Sequence, residues 1–123
     1  MIIDYSGKNV LVTGGTRGIG ERLVKDFIGL GANVWYTGRS SKSPTKNYIQ
    51  LDLSDESSFR DFLDNIDSFD FDVVVNNAGT NKIGPIESYD DEDYVSIINL
   101  NLVSCFRIMK AVIPGMKKRG YGR

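Results

Sequence analysis

Val10-Leu11-Val12-Thr13-Gly14-Gly15-Thr16-Arg17-Gly18-Ile19-Gly20 passes from three consecutive apolar residues into a glycine-rich turn. A short, continuous apolar run is the pattern of a strand buried on both faces. Beyond the turn, Ile19, Leu23, Phe27 and Leu30 recur at helical spacing until Gly29 and Gly31 end the pattern. Residues 13–20 are therefore predicted to join a strand to a helix, and that placement gives the glycines separate tasks. Gly14 permits the tight turn, Gly18 lets backbone approach a pyrophosphate, and Gly20 lets the helix pack closely on the sheet. Free N–H groups at the helix start, with its dipole, attract phosphates. Thr16, Arg17 and Ile19 belong to the same candidate phosphate site.

Working outward, the apolar pattern alternates between strand and helix. Val34-Trp35-Tyr36 reads as a second strand, residues 48–51 as a third and Val73-Val74-Val75 as a fourth. Between the third and fourth, Ser54 is the expected cap of a helix with Asp55 and Glu56 in its first turn and Phe59, Phe62, Leu63 and Ile66 on its apolar stripe. Asp90 is expected to cap the next helical stretch. Over residues 94–118, Val95, Ile98, Leu102, Cys105, Phe106, Met109, Val112, Ile113 and Met116 fit the 3.6-residue period, with Pro114 expected to bend the helix near its end. Alternating strand and helix predicts parallel strands with crossovers, in one domain over residues 1–123. The second crossover is short. Residues 38–47 contain Pro44 and several serines, so a bare loop is expected where a helix is usual.

Composition narrows the function classes. The 123 residues are 41% hydrophobic and carry a net charge of −1, which argues against disorder and gives no nucleic-acid footprint. Thirteen acids against two bases, Arg60 and Lys82, lie between Asp52 and Asp93; solvated helix faces explain them. Histidine is absent, which excludes a His-based triad and most zinc sites. Cys105 is the only cysteine, so no intramolecular disulfide forms, and among Val103, Phe106 and Met109 it is expected to be a buried, inert thiol. No apolar run approaches the ~20 residues of a membrane span, so no membrane partner is expected and a reducing cytoplasm is the expected compartment.

Two other phosphate loops can be tested on the same residues. Gly15 and Gly20 have the Walker spacing, but Glu21 and Arg22 follow where Lys and Ser/Thr are required. An acidic residue near the end of the second strand would hold an unphosphorylated ribose; Gly38 and Arg39 stand there instead. Arg39 can pair with the 2′-phosphate of NADP, and Arg17 can approach the same group from the glycine loop.

With these residues in hand, the chain resembles the classical branch of the short-chain dehydrogenase/reductase family. Gly14, Gly18 and Gly20 have that branch's spacing. Asp52-Leu53 is similar to the aspartate–hydrophobe pair that holds the adenine, and Asn76-Asn77-Ala78-Gly79 to the signature following strand four. Asn101-Leu102, with Phe106 fixing the register in preference to nearby Asn99, is similar to the segment whose asparagine holds a water in a proton relay. The resemblance covers essentially the whole chain. It implies a Rossmann-type doubly wound parallel sheet, an NADP(H) cofactor in preference to NAD, and cofactor contacts at Asp52, Leu53, Asn77, Ala78 and Gly79 beside Arg39 and the glycine loop. It also implies Asn101 as the catalytic residue, a small carbonyl or alcohol substrate, and a parent homodimer or homotetramer, paired through helices with Cys105, Met109 and Met116 nearby.

The resemblance stops at Gly120-Tyr121-Gly122-Arg123. In the family this leads into strand five, the catalytic serine and a Tyr-x-x-x-Lys pair. None of Tyr5, Tyr36, Tyr48, Tyr89, Tyr94 or Tyr121 has a lysine four residues on. Val73-Val74-Val75 is apolar on both faces, the pattern of an interior strand, and left as an edge it would expose an unpaired backbone row. The expectation is a doubly wound sheet truncated after its fourth strand and following helix, in a truncated product, a fragment or part of a longer protein. A non-catalytic dinucleotide-binding or degenerate scaffold protein is the alternative.

Overall fold

The computed structural model describes residues 3–41 and 45–123. Four short strands, β1 (Asn9–Val12), β2 (Asn33–Gly38), β3 (Tyr48–Gln50) and β4 (Val73–Val75), form one parallel sheet in the order β3-β2-β1-β4. This is the order expected of a doubly wound sheet. Leu11 lies opposite Trp35 on one side and Val74 on the other.

Alternation along the central strand sends successive side chains to opposite faces. Val10 and Val12 join Val34, Tyr36 and Val73 on the face covered by α1 (Gly18–Gly29), where Val24 is buried and Leu23 and Phe27 pack alongside. Leu11 points the other way, into a cluster with Phe59, Phe62, Ile66, Phe71, Ile108 and Val112. That second layer is built by α2 (Glu56–Asn65) and α4 (Ser104–Arg119). Arg107 ties these two helices together, donating to both carboxylate oxygens of Glu56 at 2.8 and 2.9 Å.

Several expectations are corrected. Ile19 does not belong to the buried stripe of α1; it is 75% exposed, because Gly20, one position on, is the residue that faces the sheet. Ser54 does not cap α2. Asp55 takes that place, its carboxylate accepting from Ser58 N at 3.1 Å, while Ser54 turns back to donate to Asp52 through both N–H and hydroxyl. An aspartate two residues upstream offers Ser54 a local acceptor that outcompetes the cap. Asp90 does cap α3 (Asp91–Ile98), and Asp93 accepts from the Asp90 N–H at 3.1 Å.

The last helical stretch differs most. A wide π turn over Asn99–Val103 joins α3 to α4, and the face laid on the sheet is Ser104, Ile108 and Val112. Val95, Leu102, Phe106, Met109 and Ile113, expected on the buried stripe, are exposed. Cys105 is half-buried rather than buried, its thiol reaching the Asn101 carbonyl oxygen at 3.3 Å. Taken together, Asp91–Arg119 is long and apolar enough, by length and composition, to cross a membrane, against the expectation from the sequence. Ile108 and Val112 nevertheless join the core cluster on one face of the sheet, although only 17% of that apolar window is buried. Pro114 lies inside α4, which closes on Gly120 in the left-handed conformation after three basic residues suited to a helix C-terminus.

The link from β2 to β3 contains no helix among the described residues, as expected; Ser43 and Pro44 lie outside them. At the other edge of the sheet the chain returns to β4. Arg123 N donates to Asp72 O at 2.9 Å, and Val74 N donates to Arg123 O at 3.0 Å. These two bonds flank Val73 in the pattern of a parallel ladder, so Arg123 lies beside β4 on its outer side.

Candidate functional site

Parallel strands bring their carboxyl ends to one edge of the sheet, and the loops that leave them surround an open cleft of about 640 Å³. It is lined by residues 16–20, 37–40, 51–54 and 77–80, with Gly14 and Leu100. Every residue proposed from the sequence to contact a cofactor lines it: Gly14, Thr16, Arg17, Gly18, Ile19, Gly20, Arg39, Asp52, Leu53, Asn77, Ala78 and Gly79. Asn101 stands just beyond, on the π turn.

The glycine loop has the geometry its sequence implies. Gly14 and Gly18 have φ of +66° and +58°, the left-handed region that disfavours other residues. Gly20 is held by contact: a Cβ there would sit 2.1 Å from the Gly14 carbonyl oxygen. Arg17 is the extended N-cap residue of α1, and no side chain occupies its capping role. The first turn of α1 lines the cleft and carries no side-chain cap, a fit for phosphate oxygens.

Hydrogen bonds hold the strand ends in place. Thr13, 1% exposed, accepts from both Asn77 N and Ala78 N at 3.0 Å through its hydroxyl oxygen. The Asn77 side-chain amide donates to the carbonyls of Thr13 and Gly14, each at 3.1 Å, and Gly14 N donates to the Thr37 hydroxyl oxygen at 3.1 Å. Asn77 therefore has a tying duty, joining β4 to the glycine loop. Asn76 does not share it. Its amide oxygen is buried without a partner among the described residues, beside a groove with Met109 and Met116 rather than in the cleft.

Asp52 sits at the mouth of β3. Hydrogen bonds from Ser54 hold its carboxyl below the usual aspartate range, with Arg39 adding a smaller attraction. Arg17 and Arg39 are both exposed at the mouth of the cleft. Asn101 makes a reciprocal pair with Thr80, donating to its carbonyl and accepting from its N–H, both at 2.8 Å. This clamps the segment after β4 to the π turn, the kind of helix irregularity that recurs at functional sites. Thr13, Thr37, Thr80 and the β3 residues Tyr48 and Gln50 contribute to the site without having been found in the sequence. A threonine or tyrosine with a purely positional role leaves no spacing signal.

Comparisons with known proteins bear on the family and the fold. The family model described as short chain dehydrogenase matches residues 8–123. The 3-oxoacyl-[acyl-carrier-protein] reductase FabG of Salmonella typhimurium is 33% identical, over 98% of this chain and 54% of its own length. D-beta-hydroxybutyrate dehydrogenase of Cupriavidus necator is 33% identical, over 96% and 51%. Among solved structures, the Pseudomonas aeruginosa RhlG/NADP active-site complex superposes with a TM-score of 0.82 at 27% identity, covering 95% of this chain and 51% of that one. A putative NAD(P) dependent gluconate 5-dehydrogenase from Beutenbergia cavernae, with bound NADP, shares the fold with a TM-score of 0.88 at 23% identity, covering 100% and 54%. The chain spans about half the length of the curated relatives it matches.

Proposed function

Since the chain belongs to the short-chain dehydrogenase family, we propose that it supplies the NADP(H)-binding part of an oxidoreductase that reduces a carbonyl or oxidises an alcohol. The observation that carries the cofactor preference is the pair of exposed arginines, Arg17 and Arg39, on the cleft into which the glycine loop opens. No carboxylate stands at the end of β2 to repel a phosphate.

A bound nicotinamide dinucleotide supplies the hydride. The N–H groups of the glycine loop hold its phosphates, and Arg17 and Arg39 pair with the 2′-phosphate. Asp52 and Leu53 wall the adenine, while Asn77, Ala78 and Gly79 line the far end of the cleft. Asn101, through Thr80, sets the position of that far end. None of these groups is a proton donor suited to a carbonyl oxygen near neutral pH, and no Tyr-x-x-x-Lys occurs in the chain. The 123 residues thus bind and orient; protonation belongs to a second half like that of the longer relatives. On the family resemblance alone, a homodimer or homotetramer in the cytoplasm is proposed for the complete protein.

The test is NADPH oxidation against a panel of ketones. The chain as given is expected to be silent, and a polypeptide extended through a second half of the family's kind to turn over. Turnover by the 123 residues, abolished by Asn101→Ala, would contradict this reading.

A further inference from the structure

The turn that carries Arg39 is strapped from the neighbouring strand. Tyr48 Oη donates to the carbonyl oxygen of Ser40 at 2.6 Å, and Gln50 Nε2 donates to the carbonyl oxygen of Arg39 at 3.3 Å. Tyr48 and Gln50 are alternate residues of β3, so both side chains leave the same face of the strand. The Tyr48 ring tilts against Tyr36, centroids 5.5 Å apart, and the Tyr36 hydroxyl shares a hydrogen bond with Thr45 at 3.2 Å. The strap therefore stands on a packed aromatic base. Its hydroxyl reaches the point where β2 meets the glycine loop: a Cβ on Gly38 would lie 2.9 Å from Tyr48 Oη and 2.5 Å from Thr16 Cγ2. Burial, reinforced by Tyr36, pushes the Tyr48 phenol up, so it remains a protonated donor at neutral pH.

We infer that Tyr48, assisted by Gln50, is a positioning residue for a phosphate monoester: it fixes the Arg39–Ser40 backbone so that the guanidinium meets the 2′-phosphate of NADP(H). The inference rests on the NADP(H) reading above and adds the residue that makes Arg39 effective. An arginine on an unsupported loop loses rotamer and backbone freedom on binding, and that cost subtracts from the ion pair. Anchoring two successive carbonyls removes the backbone share of the cost beforehand. The device suits this chain, whose second crossover brings β3 against the turn without an intervening helix among the described residues.

Dissociation constants for NADP and NAD, measured by titration of the 123-residue chain, test it in a cycle of Tyr48→Phe, Arg39→Ala and the double variant. Tyr48→Phe keeps the ring and removes the hydroxyl. It is expected to weaken NADP about threefold to tenfold, the effect of one neutral hydrogen bond, and to leave NAD within about twofold. In the Arg39→Ala background the same change should add nothing, because the strap acts only through Arg39. Equal losses for NADP and NAD, or the same loss persisting without Arg39, would overturn the proposal. Should Tyr48→Phe not fold, Gln50→Ala, at an exposed strand position, is put through the same cycle with the same selective pattern expected. The two readings fail differently. A selective effect at Arg39 with an unselective one at Tyr48 sinks the strap alone. A wild-type chain that binds neither dinucleotide, or shows no preference, sinks the NADP(H) reading and the strap with it.

Discussion

Arg39 occupies the place where an acidic residue would hold both hydroxyls of an unphosphorylated ribose, and the proposed preference for NADP(H) rests on its charge. Arg39→Ala is expected to weaken NADP about tenfold to a hundredfold, the ~1.5–3 kcal/mol of a charge-assisted pair, and barely to change NAD. Gly20 tests the cradle itself. With the Gly14 carbonyl 2.1 Å from where a Cβ would stand, Gly20→Ala must displace backbone, and dinucleotide binding is expected to be lost in titration even where circular dichroism still shows a folded chain. Asp52 adds a pH dependence. Its folded pKa is lowered, chiefly by Ser54, so its contribution to stability is present above the usual aspartate value and lost as pH falls through the folded one. An NMR titration should place the Asp52 midpoint below the usual range, and Ser54→Ala should move it up. At this scale the glycines were legible because each answers a backbone demand that other residues meet poorly. Thr13 and Tyr48 were not, since a hydroxyl can hold a carbonyl or an N–H from almost any position in sequence.

The elements show where periodicity stops being informative. Over residues 91–119 two apolar stripes run side by side, and the 3.6-residue period fits both. The sheet takes Ile108 and Val112; Leu102, Phe106 and Met109 are left exposed. Nothing in the one-dimensional pattern says which stripe a parallel sheet will cover. The difference is measurable. Ile108→Ala, at 1% exposure, should cost about 2–5 kcal/mol in urea unfolding. Phe106→Ala, at 60% exposure, should stay within about 0.5 kcal/mol in the isolated chain. If that outer stripe pairs between subunits, as the resemblance implies, light scattering on the extended protein should report a dimer or tetramer, and a clean monomer would remove the idea. The α2 cap was misplaced for a related reason: Ser54 and Asp55 are both good caps, and the choice was made by Asp52, through a turn that competes for Ser54.

At the scale of the whole molecule, parallel strands with crossovers follow from the alternation of strand and helix patterns, and the order β3-β2-β1-β4 is the doubly wound order that the resemblance implies. That much was legible, as was the bare second crossover. Also visible at this scale is how the sheet is left: β4 carries Arg123 on its outer side through two parallel backbone bonds, and the buried Asn76 amide oxygen near that edge has no partner among the described residues. The cleft, by contrast, is walled by all four strand ends within these residues. Two capacities are therefore separate in the proposal, binding a phosphorylated dinucleotide and carrying out proton-coupled hydride transfer, and only the first is proposed for these 123 residues. Calorimetric titration of the 123-residue chain with NADP and with NAD, repeated on Arg39→Ala, tests that assignment most directly. Saturable binding with NADP tighter than NAD is expected, with loss of the difference in the variant. Binding of neither, or equal binding of both that Arg39→Ala leaves untouched, would contradict it.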